Sequence, residues 1–203
     1  GAPALATGSW SVAAAHGHFD AEGLPIDLAI ANAAQIAAST LLPVTLDFEG
    51  GYAVDPGELA ANFARAMATG VVGCNFEDQI VGGEGLHPIK LQAKRIAAMR
   101  DADAEAFINA RTDIFLKAPP EQHDAAKLDA AIERARAYAD AGASGFFAPG
   151  LKGERLIARL CEASALPVNI MAFAGVPGAR RLGELGVARV SHGPGPYRLA
   201  MKA

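Results

Sequence analysis

The stretch Leu42-Pro43-Val44-Thr45-Leu46-Asp47-Phe48-Glu49-Gly50-Gly51-Tyr52 joins a short apolar run to two carboxylates and a glycine pair. Its apolar residues favour a strand, which Pro43 can only begin and which the glycines end in an open loop. Side chains two apart on an extended chain point the same way, so Asp47 and Glu49 are aimed at one place. The pair therefore predicts a cation site. The alternative is that Asp47 caps loop amides and Glu49 is solvated.

Strands and helices alternate along the rest of the chain. Four stretches begin with glycine and continue as a buried strand, at 1–7, 70–77, 142–148 and 186–192, and three more strands are predicted at 44–47, 107–110 and 168–171. Helices are predicted at 26–39, from Asp55 as N-cap with Pro56 and Glu58, and at 88–100, 124–140, 153–162 and 178–185. This alternation predicts a parallel α/β sheet, and seven units indicate a (β/α)₈ TIM barrel closed by an eighth.

The ends of the chain fit this barrel incompletely. Gly1 stands where the repeat places the end of a helix, and 203 residues are fewer than the roughly 250 usual for such a barrel. We therefore expect residues 1–203 to form a single (β/α)₈-type catalytic domain truncated at both ends. It would lack the first βα unit and the C-terminal helices, with 196–203 as the first turns of a final helix.

The composition of the chain argues against some classes of binding partner. A net charge of −4 without a basic stripe argues against nucleic acid. The chain shows neither a signal peptide nor an apolar stretch long enough to span a membrane. Cys74 and Cys161 match no metal or redox spacing, which suits a reducing cytoplasm. We expect a cytoplasmic protein that acts on a small molecule.

Polar residues follow nearly every predicted strand, and in such barrels the site lies at the carboxyl ends of the strands. Several carboxylates with water suit Mg²⁺ or Mn²⁺. The planar fork of Arg111 would bind a substrate carboxylate or phosphonate. An ion pair of Arg111 with Asp113 or Glu77 is an equally weighted alternative. The strand-end residues are Thr7, Ser9, Ser11, Asp47, Glu49, Glu77, Asp78, Arg111, Asp113, Asn169, Ser191 and His192.

Five segments carry a family resemblance: Thr7-Gly8-Ser9-Trp10-Ser11, the stretch from Leu46 to Tyr52, Phe76-Glu77-Asp78-Gln79, Asn109-Ala110-Arg111-Thr112-Asp113, and Ser191-His192-Gly193-Pro194-Gly195-Pro196-Tyr197. In this order they resemble the isocitrate lyase/phosphoenolpyruvate mutase superfamily. The resemblance implies a (β/α)₈ barrel that holds Mg²⁺ and makes or breaks a bond at C3 of a pyruvate-like unit through an enolate. It also implies a homotetramer.

The resemblance also implies roles for individual residues. Asp47, Glu49 and Glu77 would hold the metal, partly through water, with Asp20 close by. Arg111 would anchor the far end of the substrate. A metal and preorganised N–H groups would stabilise the enolate charge. The residues that would contact the oxo acid are Ser9, Trp10 and Ser11, with a contribution from Asn169.

The loop after Gln79 departs from the lyases of the family, which carry a Lys-Lys/Arg-Cys-Gly-His motif there. This chain reads Ile80-Val-Gly-Gly-Glu-Gly-Leu-His87-Pro88, with Gly85 near the expected cysteine, so no thiol acid is present. Glu84 lies between glycines that would let the loop close, and it is the candidate acid on this loop. His87 is predicted to be exposed and idle.

The leading hypothesis is a Mg²⁺-dependent lyase that cleaves a carbon–carbon bond in a small 2-hydroxy or 2-oxo dicarboxylate. A second hypothesis is a mutase or hydrolase acting on phosphoenolpyruvate or phosphonopyruvate. A third is a non-catalytic metal-binding barrel, although three converging carboxylates argue against it. A fourth is a sugar-phosphate enzyme with a phosphate site at Gly193-Pro194-Gly195.

Overall fold

The computed structural model describes residues 2–203, and in this range seven parallel strands form one sheet in the order β1 to β7. The prediction of seven parallel strands is confirmed, while the predicted role of Gly1 lies outside the described residues. The strands are β1 (Leu5–Ala6), β2 (Val44–Asp47), β3 (Gly73–Glu77), β4 (Phe107–Arg111), β5 (Gly145–Phe147), β6 (Val168–Met171) and β7 (Arg189–Ser191).

Helices connect consecutive strands, and the predicted helices at 26–39, 88–100, 124–140, 153–162 and 178–185 begin and end within two residues of the observed bounds. The helix after Asp55 begins at Pro56 as predicted, and the last helix ends three residues before the predicted 203. The first helix, over the segment with Ser9 and Ser11, was not predicted. Three alanines at its end favour the helical conformation. The helices are α1 (Ser9–Ala15), α2 (Ile26–Ala38), α3 (Pro56–Met67), α4 (Ile89–Ala102), α5 (Ala125–Asp140), α6 (Glu154–Ala163), α7 (Ala179–Glu184) and α8 (Gly195–Ala200), with a 3₁₀ turn at Pro120–Gln122.

Helix α3 illustrates how an N-cap residue and a periodic apolar face produce a helix at the predicted place. The Asp55 carboxylate accepts hydrogen bonds from the amides of Gly57 at 2.9 Å and Glu58 at 3.0 Å, which satisfies two amides of the first turn. The helix then buries Leu59, Phe63 and Ala66 at a spacing of three to four residues. These side chains join the core between the sheet and the helices.

The sheet is strongly curled. The Arg189 guanidinium on β7 donates to Thr45 Oγ1 on β2 at 3.1 Å, and the rings of Trp10 and Tyr197 meet edge to face at 6.0 Å. Five strand spacings in a flat sheet would separate β7 from β2 by about 24 Å. The carboxyl ends of all the strands therefore face one region. An eighth strand that closes the barrel stays a prediction.

In the described part of the chain, no helix is both long and apolar enough to cross a membrane.

Close approach of β3 and β4 requires Gly73. A Cβ atom at this position would lie 2.1 Å from the carbonyl oxygen of Phe107. We expect Gly73→Ala to lower the free energy of unfolding by about 2 kcal/mol or more, because the two strands would have to move apart. Urea denaturation measures the change.

Gly183 offers a control for this substitution, since a Cβ there meets no atom within 4 Å. It lies inside α7, so Gly183→Ala should leave stability unchanged or raise it by about 0.5 kcal/mol. Equal stability of the Gly73→Ala and wild-type proteins would contradict the packing argument.

Candidate active site

Strand register brings polar side chains together at the carboxyl end of the sheet. Asp47 pairs with Asn75, which pairs with Asn109, and two residues further on Glu77 pairs with Arg111. Residues in register on parallel strands project from the same face. All five side chains therefore share the inner face of the curled sheet.

One carboxylate oxygen of Asp47 accepts a hydrogen bond, and the other has no hydrogen-bond partner within residues 2–203. Its Oδ2 accepts the amide of Ser9 at 3.0 Å, and its own amide donates to Thr7 Oγ1 at 2.8 Å. Its Oδ1 is buried and has no hydrogen-bond partner within residues 2–203. A buried polar atom without a partner costs about 1–3 kcal/mol, and more when it carries charge. Asp47 Oδ1 is thus a free ligand atom at the centre of the site.

Glu49 is buried at the turn after β2, so the alternative that it is solvated is wrong. Its Oε2 accepts the amide of Glu22 at 2.7 Å. Burial raises the pKa of Glu49 to about 7, and the nearby carboxylates of Asp20 and Asp47 raise it as well. The negative charges crowded here would be relieved by a cation.

Arg111 lies between two carboxylates. Its Nε and Nη2 donate to Asp113 at 2.6 and 2.9 Å, and its Nη1 is 2.8 Å from Glu77 Oε2. Burial alone would lower the pKa of the Arg111 guanidinium, but Glu77 and Asp113 raise it above its usual value. Burial likewise raises the pKa of Glu77, and Arg111 opposes that rise. The predicted ion pairs of Arg111 are therefore present, and they use three of its five N–H groups.

A cavity of about 900 Å³ opens beside these side chains. Residues from β1, α1 and β7 form much of its wall. A second cavity of about 10 Å³ lies against Asp47 and Glu49. Of the ten predicted site residues, the large cavity is lined by Ser9, Trp10, Ser11, Asp20, Asp47 and Arg111.

The donor set fits a hard cation, but the three predicted metal ligands are not gathered around one point. Within residues 2–203, no group of three or more His, Cys, Asp or Glu side chains could hold a metal ion as placed. Glu77 is turned toward Arg111, and Glu49 toward the Glu22 amide. The free oxygen of Asp47 is the position where a divalent cation would begin to bind. The full ligand set stays a prediction.

The serine segment forms the first turn of α1 and not a loop. The amide of Ser9 is held by Asp47 and is therefore occupied. Trp10 is 37% exposed; the Arg198 guanidinium lies 4.6 Å above its ring, and Tyr197 packs against its edge. Its remaining surface faces the large cavity.

Four predicted residues lie outside the large cavity's lining: Glu49 and Glu77, described above, and Asn169 and Glu84. Asn169 is buried and donates to the carbonyls of Ile170 at 3.1 Å and Arg189 at 3.2 Å. Glu84 is exposed in the loop at 79–87, which the bridge between Gln79 and Leu86 closes at its base. The roles of Asn169 in substrate binding and of Glu84 as an acid stay predictions.

The prediction that His87 is exposed is wrong, because this residue is only 6% exposed. Its amide donates to Asp78 O at 2.7 Å. Arg134 Nη1 lies 3.0 Å from both the Asp78 carboxylate and His87 O. Burial lowers the pKa of His87, and the nearby charges of Arg95 and Arg134 lower it further. Asp78 and Arg134 thus hold both ends of the loop in place.

Sequence reasoning missed three residues that position the site. Arg95 is 1% exposed and donates to the carbonyls of Gly50 and of Ala53, the latter at 2.9 Å. Gln92 donates to Glu77 O at 2.9 Å. One face of α4 therefore holds the backbone of both acidic strand ends. Polar residues three apart on a helix usually indicate a solvated face, so the pattern did not reveal these roles.

Glu22 is the third missed residue. Its carboxylate accepts the amide of Tyr52 at 2.8 Å, while its amide donates to Glu49. Its backbone is left-handed, with φ of 59°. No sequence motif predicts this contact, because it joins two loops that are far apart in sequence.

These observations define a class of protein: an α/β fold whose curled parallel sheet carries a cavity with acids and an arginine at its carboxyl edge. The sequence model of the phosphoenolpyruvate phosphomutase family matches residues 1–203, and the chain belongs to this family. This confirms the resemblance found in the sequence.

Known relatives extend this assignment. A Burkholderia cenocepacia protein, provisionally assigned as a phosphonomutase, has a crystal structure with a TM-score of 0.96 and 50% identity over 100% of this chain and 82% of its own. An uncharacterised Mycobacterium tuberculosis protein is 36% identical over 100% of this chain and 74% of its own. The 2-methylisocitrate lyase of Bacillus subtilis is 34% identical over 76% of this chain and 54% of its own.

A more distant fold match is phosphonopyruvate hydrolase in complex with oxalate and Mg²⁺, with a TM-score of 0.85 and 19% identity over 100% of this chain and 72% of its own. The relatives above 30% identity thus include a lyase and a protein provisionally assigned as a phosphonomutase.

The raised pKa of Glu49 predicts a pH dependence of stability in the metal-free protein. An ordinary glutamate titrates near 4.5 in the unfolded chain, and Glu49 titrates near 7 in the folded one. Between these values the folded state binds the additional proton, so the contribution of Glu49 to stability falls as pH rises. We expect Glu49→Gln to become more stable relative to wild type by about 2 kcal/mol from pH 5 to 8.

Denaturation in the presence of a chelator measures this difference. Glu133→Gln, at an exposed position on α5, should follow the wild-type pH profile. Parallel profiles for the wild type and Glu49→Gln would show that Glu49 is not the group responsible.

Proposed function

We propose that this protein is a Mg²⁺-dependent lyase that cleaves a carbon–carbon bond in a small 2-hydroxy or 2-oxo dicarboxylate. The observation that carries the proposal is Asp47, which lines the large cavity together with Arg111 and whose buried Oδ1 has no hydrogen-bond partner within residues 2–203. An anionic substrate and a cation both find complementary charge there. The proposed intermediate is an enolate, formed on the carboxylate fragment that separates from the oxo acid.

The proposed chemistry assigns metal binding and substrate binding to different residues. Asp47, with Glu49 and Glu77 nearby, would hold Mg²⁺, which when bound would supply positive charge to stabilise an enolate oxygen. Arg111 would bind a substrate carboxylate through the N–H groups that Asp113 and Glu77 leave free. The ion pairs hold its guanidinium in one orientation, so little reorganisation is needed on binding.

Proton transfer is assigned to Asp20 and Glu84. Asp20 lines the cavity, and its charge acts on Glu49, so it lies beside the proposed metal site. As base, it would take the proton of the substrate hydroxyl while the carbon–carbon bond breaks and the hydroxyl carbon becomes a carbonyl. The departing fragment keeps the electron pair as an enolate. Glu84 would return a proton to that fragment once its loop has closed.

The relatives support a lyase and Mg²⁺ in different ways. The Bacillus subtilis relative is a 2-methylisocitrate lyase. Phosphonopyruvate hydrolase, which shares the fold, has been solved with oxalate and Mg²⁺. The proposal also includes a homotetramer in the cytoplasm, which rests on the family resemblance and the cysteine pattern alone.

A second candidate function is a mutase or hydrolase acting on phosphonopyruvate. The 50% identity with the provisionally assigned phosphonomutase favours it.

Ligand binding tests the proposed site. Oxalate is planar and resembles a pyruvate enolate, so we expect it to raise the melting temperature only when Mg²⁺ is present. Asp47→Asn should abolish the shift, since it removes the charge without changing the shape of the side chain. Glu133→Gln should keep the shift. A shift that is independent of Mg²⁺, or that survives Asp47→Asn, would contradict the proposed metal site.

Turnover separates the two candidate functions. With Mg²⁺ present, we expect methyl-substituted malates to be cleaved with release of an oxo acid, which a coupled dehydrogenase assay detects. Phosphonopyruvate should be neither rearranged nor hydrolysed, which ³¹P NMR follows. Turnover of phosphonopyruvate alone would replace the lyase proposal by the second candidate.

A further inference from the structure

Three buried asparagines form a hydrogen-bonded row across the inner face of the sheet, called here the asparagine ladder: Asn75 on β3, Asn109 on β4 and Asn169 on β6. Asn109 Nδ2 donates to Asn75 Oδ1 at 2.8 Å and to Asn169 Oδ1 at 3.0 Å. Strand β5 lies between β4 and β6, and its Gly145 leaves room for the row. A Cβ there would lie 2.9 Å from Asn109 Oδ1.

The contacts of Asn169 determine which way each side-chain amide of the asparagine ladder points. Asn169 Nδ2 lies within hydrogen-bond distance of two backbone carbonyls, at 3.1 Å for Ile170 and 3.2 Å for Arg189. Carbonyl oxygens only accept hydrogen bonds, so the NH₂ group of Asn169 must face them and its Oδ1 must face Asn109. Asn109 then has to present its NH₂ group to both neighbours.

The orientation of Asn75 follows from the same logic. Its Oδ1 accepts from Asn109, so its NH₂ group points away from the ladder. Turning Asn109 around would place its Oδ1 against Asn169 Oδ1, and two acceptors repel each other. The ladder keeps its direction even though Asn109 Oδ1 has no partner in the described part of the chain.

Asn75 faces the large cavity and is in register with Asp47. It is 8% exposed, and the structure provides no acceptor for its NH₂ group within residues 2–203. A donor that is fixed in direction, on a residue that lines the cavity in register with Asp47, suits an oxygen atom of a ligand.

We propose that Asn75 contacts the substrate and determines specificity, with its NH₂ group donating to an oxygen of the oxo-acid unit. Asn109 acts as a positioning residue through Asn75. This inference rests on the proposed function and deepens it. A donor already oriented by the protein costs no reorganisation when the ligand binds. A ligand without an oxygen at this place would leave the NH₂ group unpaired and would be discriminated against.

The test compares oxalate affinity in Asn75→Ala and Asn75→Asp with the wild type, by calorimetry at saturating Mg²⁺. We expect Asn75→Ala to weaken oxalate binding about tenfold, as loss of a hydrogen bond to a charged group does. Asn75→Asp, which has the same shape, should weaken it further because it adds a like charge. Gln122→Ala, an exposed amide that does not line the cavity, should bind oxalate as the wild type does.

Mg²⁺ affinity, measured separately, should stay within about threefold of wild type in Asn75→Ala, because Asn75 is not a proposed metal ligand. If the wild type fails to bind oxalate with Mg²⁺, the proposed function fails and this inference with it. If the wild type binds and Asn75→Ala binds within twofold of it, only the inference is overturned. Should Asn75→Ala fail to fold, wild-type affinity in Asn75→Asp overturns it equally.

Discussion

The register of β2, β3 and β4 is the constraint on which the site depends. It aligns Asp47 with Asn75 and Asn109 at one level and Glu77 with Arg111 at the next. A shift by one residue would move every one of these side chains to the opposite face. Gly73 allows the close contact with Phe107 at the start of this pairing, so a glycine at the amino end of β3 helps to set the chemistry at its carboxyl end.

Burying several acidic side chains in one place raises the free energy of the folded state, and contacts with the surrounding residues offset that increase. Arg95 and Gln92 hold the turns that carry Glu49 and Glu77 through backbone carbonyls. Glu49 and Tyr52 both have left-handed backbones, a conformation that costs of order 1 kcal/mol for residues with a side chain. The site is thus held in a conformation that its own residues would not favour alone, as is common where a ligand supplies part of the stabilisation.

Much of the architecture could be predicted from local signals. Pro43 with the β-branched residues after it marks β2, and Asp55 with Pro56 marks the start of α3, because these residues restrict their own backbones. The helix α1 and the burial of His87 could not be predicted in this way. Trp10 belongs to a helix whose serines also suit a loop, and the carbonyl of His87 accepts a hydrogen bond from Arg134, a residue 47 positions away.

The candidate site was predictable only in part for the same reason. Strand ends revealed which residues share an edge, so Asp47 and Arg111 were found. The pattern could not show that Arg111 is held by both Asp113 and Glu77, that Asn169 points into the asparagine ladder, or that Glu22 reaches Glu49. Each of these contacts depends on side-chain direction and on loops that pack together after folding.

We propose that Asp47 Oδ1 is the first ligand of a divalent metal site that a planar oxo acid completes. A crystal structure with Mn²⁺ and oxalate, using anomalous scattering to locate the metal, is the decisive measurement. We expect one strong anomalous peak in coordination contact with Asp47 Oδ1, with oxalate bound to the same ion. Well-ordered oxalate with no metal at Asp47, or Mn²⁺ bound only elsewhere, would contradict it.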